Sequence, residues 1–263
     1  MKNIVILLIS TILLSCALIK TKPSKLILSD GYKSVDIAIP KGYCLYKEDD
    51  PIESDVISVL KEVNKITSSS IQFLMQECDE KKNFINSKNP LFRTTATIGI
   101  PAPFFIEIIK KRKMDYDIDK YLKFFEMPSK YYNLKTANED FEKGLKRVKD
   151  KNAINFDIID NSKNLSPQQK SELKLVHSEL FGNNSHIYDI FKADTEKGLA
   201  QYTYRSFQVG QIKSKCVSAN TLINHIPVEL VLCSSSEFTD ITEIKLQLKQ
   251  WLSTTLTMNV DKQ

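Results

Sequence analysis

The sequence predicts an α+β protein in which helices pack on a mainly antiparallel β-sheet. Apolar residues recur at helical spacing in several segments before Ser185, whereas the chain after Ser185 has strand-like runs separated by turn residues. Only seven glycines are present, and no G-x-G-x-x-G or Walker pattern occurs, so a glycine-rich phosphate loop is missing.

The first element is an export signal. Lys2 precedes an apolar run over residues 4–14, which is too short to span a bilayer and fits the core of a signal peptide. Leu13-Leu14-Ser15-Cys16 resembles a bacterial lipobox, which implies a diacylglyceryl thioether on Cys16, although Leu14 departs from the pattern. Cleavage after Ala17 and an uncleaved anchor are the alternatives. We therefore predict a signal peptide over residues 1–16.

A polar tether is predicted over residues 17–24, followed by a single α+β domain over residues 25–263 with a soft boundary at 149–163. Alternating runs on both sides of Asp30-Gly31 predict a β-hairpin. Asp50, Pro51 and Glu53 predict a helix start with a capping box, and apolar spacing extends this helix to about residue 78.

The remaining elements follow from the same two periodicities. Strands are predicted at 94–100 and 153–159, and helices at 117–125, 138–149 and 166–182. The runs 187–191, 199–209, 211–219 and 227–233 predict an antiparallel meander. A last helix begins near Asp240, and its apolar face consists of Ile244, Leu248, Trp251, Leu252 and Leu256.

The chain has five cysteines, and four remain if Cys16 is lipidated or removed. Four cysteines can form two disulfides in an oxidising compartment, with three possible connectivities. Cys216 and Cys233 would face each other if a hairpin turned at Asn224-His225. A bridge from Cys44 to Cys78 would tie the far end of the long helix back onto the first sheet. Four reduced thiols are the alternative.

Charge excludes one class of partner. The net charge is +5, and opposite charges are interleaved along the chain, so we expect no nucleic-acid partner. Only Lys110, Lys111, Arg112 and Lys113 form a basic run. We interpret this run as a solvated turn, and a contact with a phosphate or an anionic lipid surface is the alternative interpretation.

No residue pattern in the chain predicts a catalytic, cofactor or metal site. The histidines, His177, His186 and His225, lack metal-ligand spacing, and neither G-x-S-x-G nor C-x-x-C occurs. The acidic cluster at 115–119 lacks the glycine and the terminal glutamate of a calcium loop, and we interpret it as a helix start. Aromatic pairs, including Tyr202 and Tyr204, are interpreted as core.

Ile39-Pro40-Lys41-Gly42-Tyr43-Cys44, followed by a capped helix and Cys78, resembles an uncharacterised group of exported proteobacterial proteins. That resemblance implies an envelope location and a Cys44–Cys78 bridge, and it brings no known activity. The order of elements is also similar to the PsbP/Mog1-like sandwich, a likeness that concerns the fold alone.

These observations together predict an exported protein of the bacterial envelope or periplasm, tethered to a membrane through lipid on Cys16. We expect a non-enzymatic accessory or binding module without a cofactor, whose protein or small-molecule partner the sequence does not specify. The alternatives are a secreted hydrolase-like enzyme without a local motif, and a membrane-surface effector that uses Lys110–Lys113.

Overall fold

The computed structural model describes residues 24–27, 34–64, 69–87, 90–101, 103–131, 139, 157–181, 186–209, 212–235 and 240–260. The strands in these ranges are β1 (Ser24–Ile27), β2 (Ser34–Ile37), β3 (Tyr43–Leu45), β4 (Ser69–Glu77), β5 (Thr94–Pro101), β6 (His186–Glu196), β7 (Ala200–Val209), β8 (Ile212–Ile223) and β9 (Ile226–Ser234). The helices are α1 (Pro51–Asn64), α2 (Cys78–Ile85), α3 (Pro103–Lys111), α4 (Ile118–Tyr131), α5 (Asp157–Asn161), α6 (Pro167–Phe181) and α7 (Ile241–Thr257).

Seven of the strands form one antiparallel sheet in the order β3-β4-β5-β9-β8-β7-β6, while β1 and β2 pair separately. The four strands from β6 to β9 follow one another as the predicted meander. The last strand, β9, lies between β5 and β8 and joins this meander to the N-terminal strands. The α+β fold predicted from the sequence is therefore confirmed.

The main core lies between one face of the sheet, helix α7 and strand β2. Alternate residues of β8 and β9 face this core, because successive side chains of a strand point to opposite faces. Its members include Val35, Ile37, Val217, Ala219, Leu230, Leu232 and the predicted apolar face of α7. Trp251 of α7 donates an indole N–H to the carbonyl oxygen of Ala38 at 2.6 Å, which fixes the segment after β2 against the helix.

Two smaller clusters complete the packing. In one of them, α1 and α6 pack with Leu74 of β4 around Tyr46, Phe84 and Phe92. In the other, α3 and α4 pack around Leu222 of β8, which faces away from the main core. Helices thus lie on both sides of the sheet.

Several sequence predictions are wrong. The helix predicted over residues 51–78 ends at Asn64, and Ser69–Glu77 is the strand β4, because β4 pairs with β3 and with β5. The sequence also predicts a polar loop over residues 81–90, but residues 81–85 belong to α2, and residues 157–159, predicted as strand, belong to α5. The helix predicted over 138–149 lies outside the described residues except for residue 139, and residues 153–156 lie outside them too.

Candidate functional site

One disulfide crosses the hairpin of β8 and β9. Cys216 and Cys233 stand directly opposite each other in the register, with their Cα atoms 4.1 Å apart. The turn between the strands consists of Asn224 and His225, with φ angles of 50° and 65°. Positive φ at both central residues is typical of the turn that suits a right-handed strand twist. The turn predicted from the sequence therefore places the two cysteines opposite each other.

The other disulfide joins Cys44 of β3 to Cys78, the first residue of α2, with 4.9 Å between their Cα atoms. Strand β3 pairs with β4 so that Tyr43 lies opposite Glu77, next to the bridge. Cys78 therefore approaches Cys44 from the end of a strand and not from the end of a long helix. Both pairs are those that the sequence favours.

The predicted lipidation site, Cys16, and the tether at 17–23 lie outside the described residues. Strand β1 begins at Ser24, the last residue of the predicted tether. In the part of the chain that the structure describes, no helix has both the length and the apolar character needed to cross a bilayer.

A buried polar cluster lies beside the Cys44–Cys78 bridge. The Lys81 ammonium is 2.7 Å from Glu53 Oε1, donates to the carbonyl oxygen of Leu45 at 2.7 Å and lies 4.9 Å from the ring centroid of Tyr46. The Tyr46 hydroxyl donates to Gln76 Oε1 at 2.5 Å, and Glu53 Oε2 accepts the backbone N–H of Lys47 at 2.5 Å.

The charges of this cluster are matched, so its arrangement suits a structural role. Burial, together with the nearby Glu53 and Glu80, raises the pKa of Tyr46 well above its usual value. The phenol therefore stays protonated and acts as a hydrogen-bond donor at neutral pH. Sequence analysis missed the Glu53–Lys81 pair, because the two residues lie on different helices and only the fold brings them together.

The four cations of the predicted basic run are all exposed. Lys110 and Lys111 lie in the last turn of α3, where positive charge is favourable, and Arg112 and Lys113 lie in the following turn. The guanidinium carbon of Arg112 is 5.8 Å from the ring centroid of Phe124 in α4.

This contact places the run beside two exposed lysines of α4, which sequence analysis missed. We call the six cations the basic face, and its members are Lys110, Lys111, Arg112, Lys113, Lys120 and Lys123. The i,i+3 spacing of Lys120 and Lys123 was visible in the sequence, but their proximity to α3 depends on tertiary packing. Below the face, Ile109, Met114 and Leu122 are buried together.

Two acidic residues within this segment have partners, one at the start of the helix and one in a distant turn. Asp117 accepts the backbone N–H of Lys120 at 3.1 Å and lies 3.0 Å from its ammonium, and these bonds hold the pKa of Asp117 below its usual range. Asp119 Oδ1 accepts the backbone N–H of Gly198 at 3.2 Å. These two carboxylates therefore have partners of their own within the fold.

The histidine of the β8–β9 turn contacts the same segment. His225 Nδ1 lies 2.9 Å from the carbonyl oxygen of Asp115, and because a carbonyl only accepts, this ring nitrogen carries the hydrogen. The imidazole also packs on Tyr116, with ring centroids 4.8 Å apart. His177 lies in α6 and His186 begins β6. No three metal-ligating side chains converge within the ranges that the structure describes.

Tyr202 and Tyr204 are core residues, as expected. The ammonium groups of Lys249 and Lys245 lie 4.9 Å and 4.3 Å from the centroids of their respective rings. Burial and the nearby Glu196 raise the pKa of Tyr202, whose hydroxyl donates to Glu196 Oε2 at 3.2 Å. A phenol with a raised pKa stays protonated at neutral pH and is a poor general base, and the two lysines of α7 over these rings link α7 to the sheet.

The similarity to exported proteobacterial proteins and to the PsbP/Mog1-like sandwich stays a prediction. The chain matches no protein-family model, no curated protein and no solved structure.

Proposed function

We propose that this chain is an exported bacterial envelope protein, tethered to a membrane through lipid on Cys16, and that its folded domain is a non-enzymatic accessory or binding module. The observation that carries the proposal is the presence of two disulfides in the folded domain. Such bonds persist in oxidising compartments and are rare in the cytosol. The export signal before Cys16 supplies the route to such a compartment.

The start of the fold supports a tether. The first described strand begins at Ser24, so the chain between Cys16 and the domain is short, and it carries Lys20 and Lys22. Extended, eight residues reach about 28 Å, so the domain would remain close to the bilayer. This geometry suits a module that acts at the membrane surface.

The buried ionisable groups support a binding module more than a hydrolase. Lys81 and Glu53 pair with each other, and the Tyr46 and Tyr202 phenols have raised pKa values and accepting partners. The ion pair engages both Lys81 and Glu53, and the raised pKa values keep the two phenols protonated at neutral pH. A general base requires the opposite, namely a proton acceptor near its titration point.

The test is the mass of the mature N-terminus, combined with thiol alkylation of protein isolated from the envelope with and without reductant. We expect acylated Cys16 as the first residue and four thiols that react only after reduction. Cleavage after Ala17 would contradict the lipid tether but would still agree with export of the chain. Full-length chain from the cytosol with five alkylatable thiols would overturn the proposal.

A Cys16→Ser variant is the matched control, because it retains the four cysteines of the domain. It should lose the acyl mass and keep both disulfides. If the acyl mass persisted in this variant, the lipid would be attached elsewhere and the tether assignment would be wrong.

A further inference from the structure

We propose that the basic face binds the anionic phospholipid headgroups of the same membrane that carries the N-terminal lipid. This inference rests on the proposed function and deepens it, because it gives the tethered domain a defined orientation. The face would lie against the bilayer, and the opposite side of the domain would be left for a partner.

The first support is the arrangement of charge. Residues 110–123 contain six lysines and arginines and three aspartates, and all six cations are exposed. Asp117 and Asp119 are held by Lys120 and by the backbone of Gly198. The segment therefore presents a net positive surface, and charge complementarity favours an anionic partner.

The second support is the ordered packing beneath the cations. The α3–α4 turn is anchored by the buried Met114, whose backbone N–H donates to the carbonyl oxygen of Ile109 at 3.0 Å. Arg112 packs over Phe124. A cationic surface on an ordered turn loses little conformational entropy when it meets a membrane.

The third support is an exposed aromatic residue beside the cations. Tyr116 follows the run by three positions and is 69% exposed, the most exposed large hydrophobic residue among those the structure describes. Tyrosine is enriched at membrane–water interfaces, because its ring is apolar and its hydroxyl is polar. Its ring packs on His225, which holds it at the edge of the basic face.

The fourth support is the position of the tether. Ile27, at the end of β1, pairs with Ser34 of β2, and the carbonyl oxygen of Ser34 accepts the Asn224 side-chain amide at 3.3 Å. Asn224 precedes His225, on which Tyr116 packs, so the edge of the basic face adjoins this end of the hairpin.

Ser24, where the tether meets the domain, is at the other end of the same short strand. Three residue steps along β1 span about 10 Å, and the eight-residue tether reaches about 28 Å when extended. Lipid on Cys16 and the basic face can therefore meet one bilayer surface. A protein exported to the envelope meets lipid headgroups there, whereas nucleic acid is confined to the cytosol.

The test uses the full chain with Cys16→Ala and measures partition onto phosphatidylcholine vesicles with and without phosphatidylglycerol. The ratio of the two partition coefficients reports headgroup charge and cancels any apolar insertion of the N-terminus. We expect a ratio of tenfold or more at about 50 mM salt, falling towards one at about 500 mM because salt screens exposed charges.

The quadruple variant K110Q/K111Q/R112Q/K113Q should reduce this ratio to within about twofold of one, because it leaves two lysines against three aspartates in residues 110–123 and so removes the net positive charge of the segment. The matched control K41Q/K82Q/K163Q/K213Q removes the same charge from four exposed lysines elsewhere and should retain the ratio. Unchanged melting of both variants would show that they fold.

Two results would overturn the proposal. If both variants lose the ratio equally, net charge alone drives binding. If the parent chain does not distinguish the two vesicles, the basic face serves another partner, such as an acidic protein. The vesicle preference is measured without lipid on Cys16, so the two proposals can fail separately. An unacylated N-terminus together with a retained vesicle preference would refute only the lipid tether. An acylated N-terminus without any vesicle preference would refute only this inference.

Discussion

Asn259 binds the backbone of Asp36 through both atoms of its side-chain amide. Its Oδ1 accepts the Asp36 N–H at 3.1 Å, and its Nδ2 donates to the Asp36 carbonyl oxygen at 2.8 Å. The side chain is fully buried just after α7, so it pairs with β2 as a neighbouring strand would. The end of the C-terminal helix thereby fixes a strand near the start of the domain.

We expect Asn259→Ala to destabilise the domain by about 3 kcal/mol, because it leaves two backbone groups of Asp36 without these bonds. Asn259→Asp should be at least as harmful, since it replaces the donor by an acceptor facing a carbonyl. The exposed Asn86→Ala is the control and should change stability by less than about 0.5 kcal/mol. Urea unfolding followed by circular dichroism measures all three, and wild-type stability of Asn259→Ala would refute this account.

The Glu53–Lys81 pair predicts strong coupling in a double-mutant cycle. Lys81→Met should destabilise the domain by about 3 kcal/mol, because it leaves the Glu53 carboxylate buried and unpaired. Adding Glu53→Gln should recover part of this loss, giving a coupling energy of about 2 kcal/mol. Denaturant midpoints of the four proteins give the value.

The surface pair Lys61–Glu48 is the matched control, since its ammonium and carboxylate are 2.8 Å apart but its side chains are 43% and 73% exposed. Its cycle, with Lys61→Met and Glu48→Gln, should give less than about 1 kcal/mol. Equal coupling in the two cycles would mean that burial of the Lys81 pair has no energetic consequence.

The disulfides should contribute unequally to stability. The bridges span sequence separations of 34 and 17 residues, so the chain-entropy relation predicts losses of about 4 kcal/mol for C44A/C78A and about 3 kcal/mol for C216A/C233A. Reductant should bring the parent chain to the stability of the variant in which all four of these cysteines are replaced by alanine. If reductant leaves the unfolding midpoint unchanged, the bridges do not constrain the unfolded chain.

Alkaline pH should destabilise the domain through Tyr43. Burial, with the nearby Glu77 and Glu80, raises the pKa of Tyr43 from 10.0 to about 12. A raised folded-state pKa gives stability that is complete below pH 10 and is lost as pH rises through about 12. Between pH 9.5 and 11.5 the parent chain should therefore lose about 2 kcal/mol more than Tyr43→Phe. Urea midpoints of the parent chain and of Tyr43→Phe across this pH range measure the difference. Parallel pH profiles of the two proteins would refute the role of Tyr43.

Local sequence signals predicted the elements whose contacts are local. Ser166 and Gln169 form a reciprocal capping box at the start of α6, where the sequence predicts a helix, with bonds of 3.3 Å and 2.8 Å. Asp50 caps α1 as predicted, but Glu53 turns to Lys47 and Lys81 and does not complete the box. The last helix begins after Asp240 and buries most of its expected apolar face.

Strand β4 was missed for a physical reason. A register shift between Ile71 and Phe73 interrupts the two-residue period, so the buried residues Ile71, Leu74 and Met75 follow helical spacing. The central position of the strand, between β3 and β5, overrides this local pattern. Pairing of this kind depends on distant residues that a local window cannot contain.

The basic face was predicted only in part. The run Lys110–Lys113 is contiguous and visible in the sequence, whereas Lys120 and Lys123 join it through the packing of Arg112 on Phe124. The Glu53–Lys81 pair carried no sequence signal, because the capping-box pattern assigns Glu53 to Asp50 and Lys81 belongs to no recognisable motif. Sites assembled from separate elements require the tertiary structure.

Under the export that we propose, the central place of β9 has a consequence for the order of assembly. Strands β3 to β5 cannot join the rest of the sheet until residues 226–234 emerge from the membrane, long after β5 itself. The Cys44–Cys78 bridge can close early on the emerging chain, but the Cys216–Cys233 bridge must wait for the same late segment. Until then the unpaired edge of β5 is open to foreign strands, and a periplasmic chaperone that covers it would raise the yield of native protein.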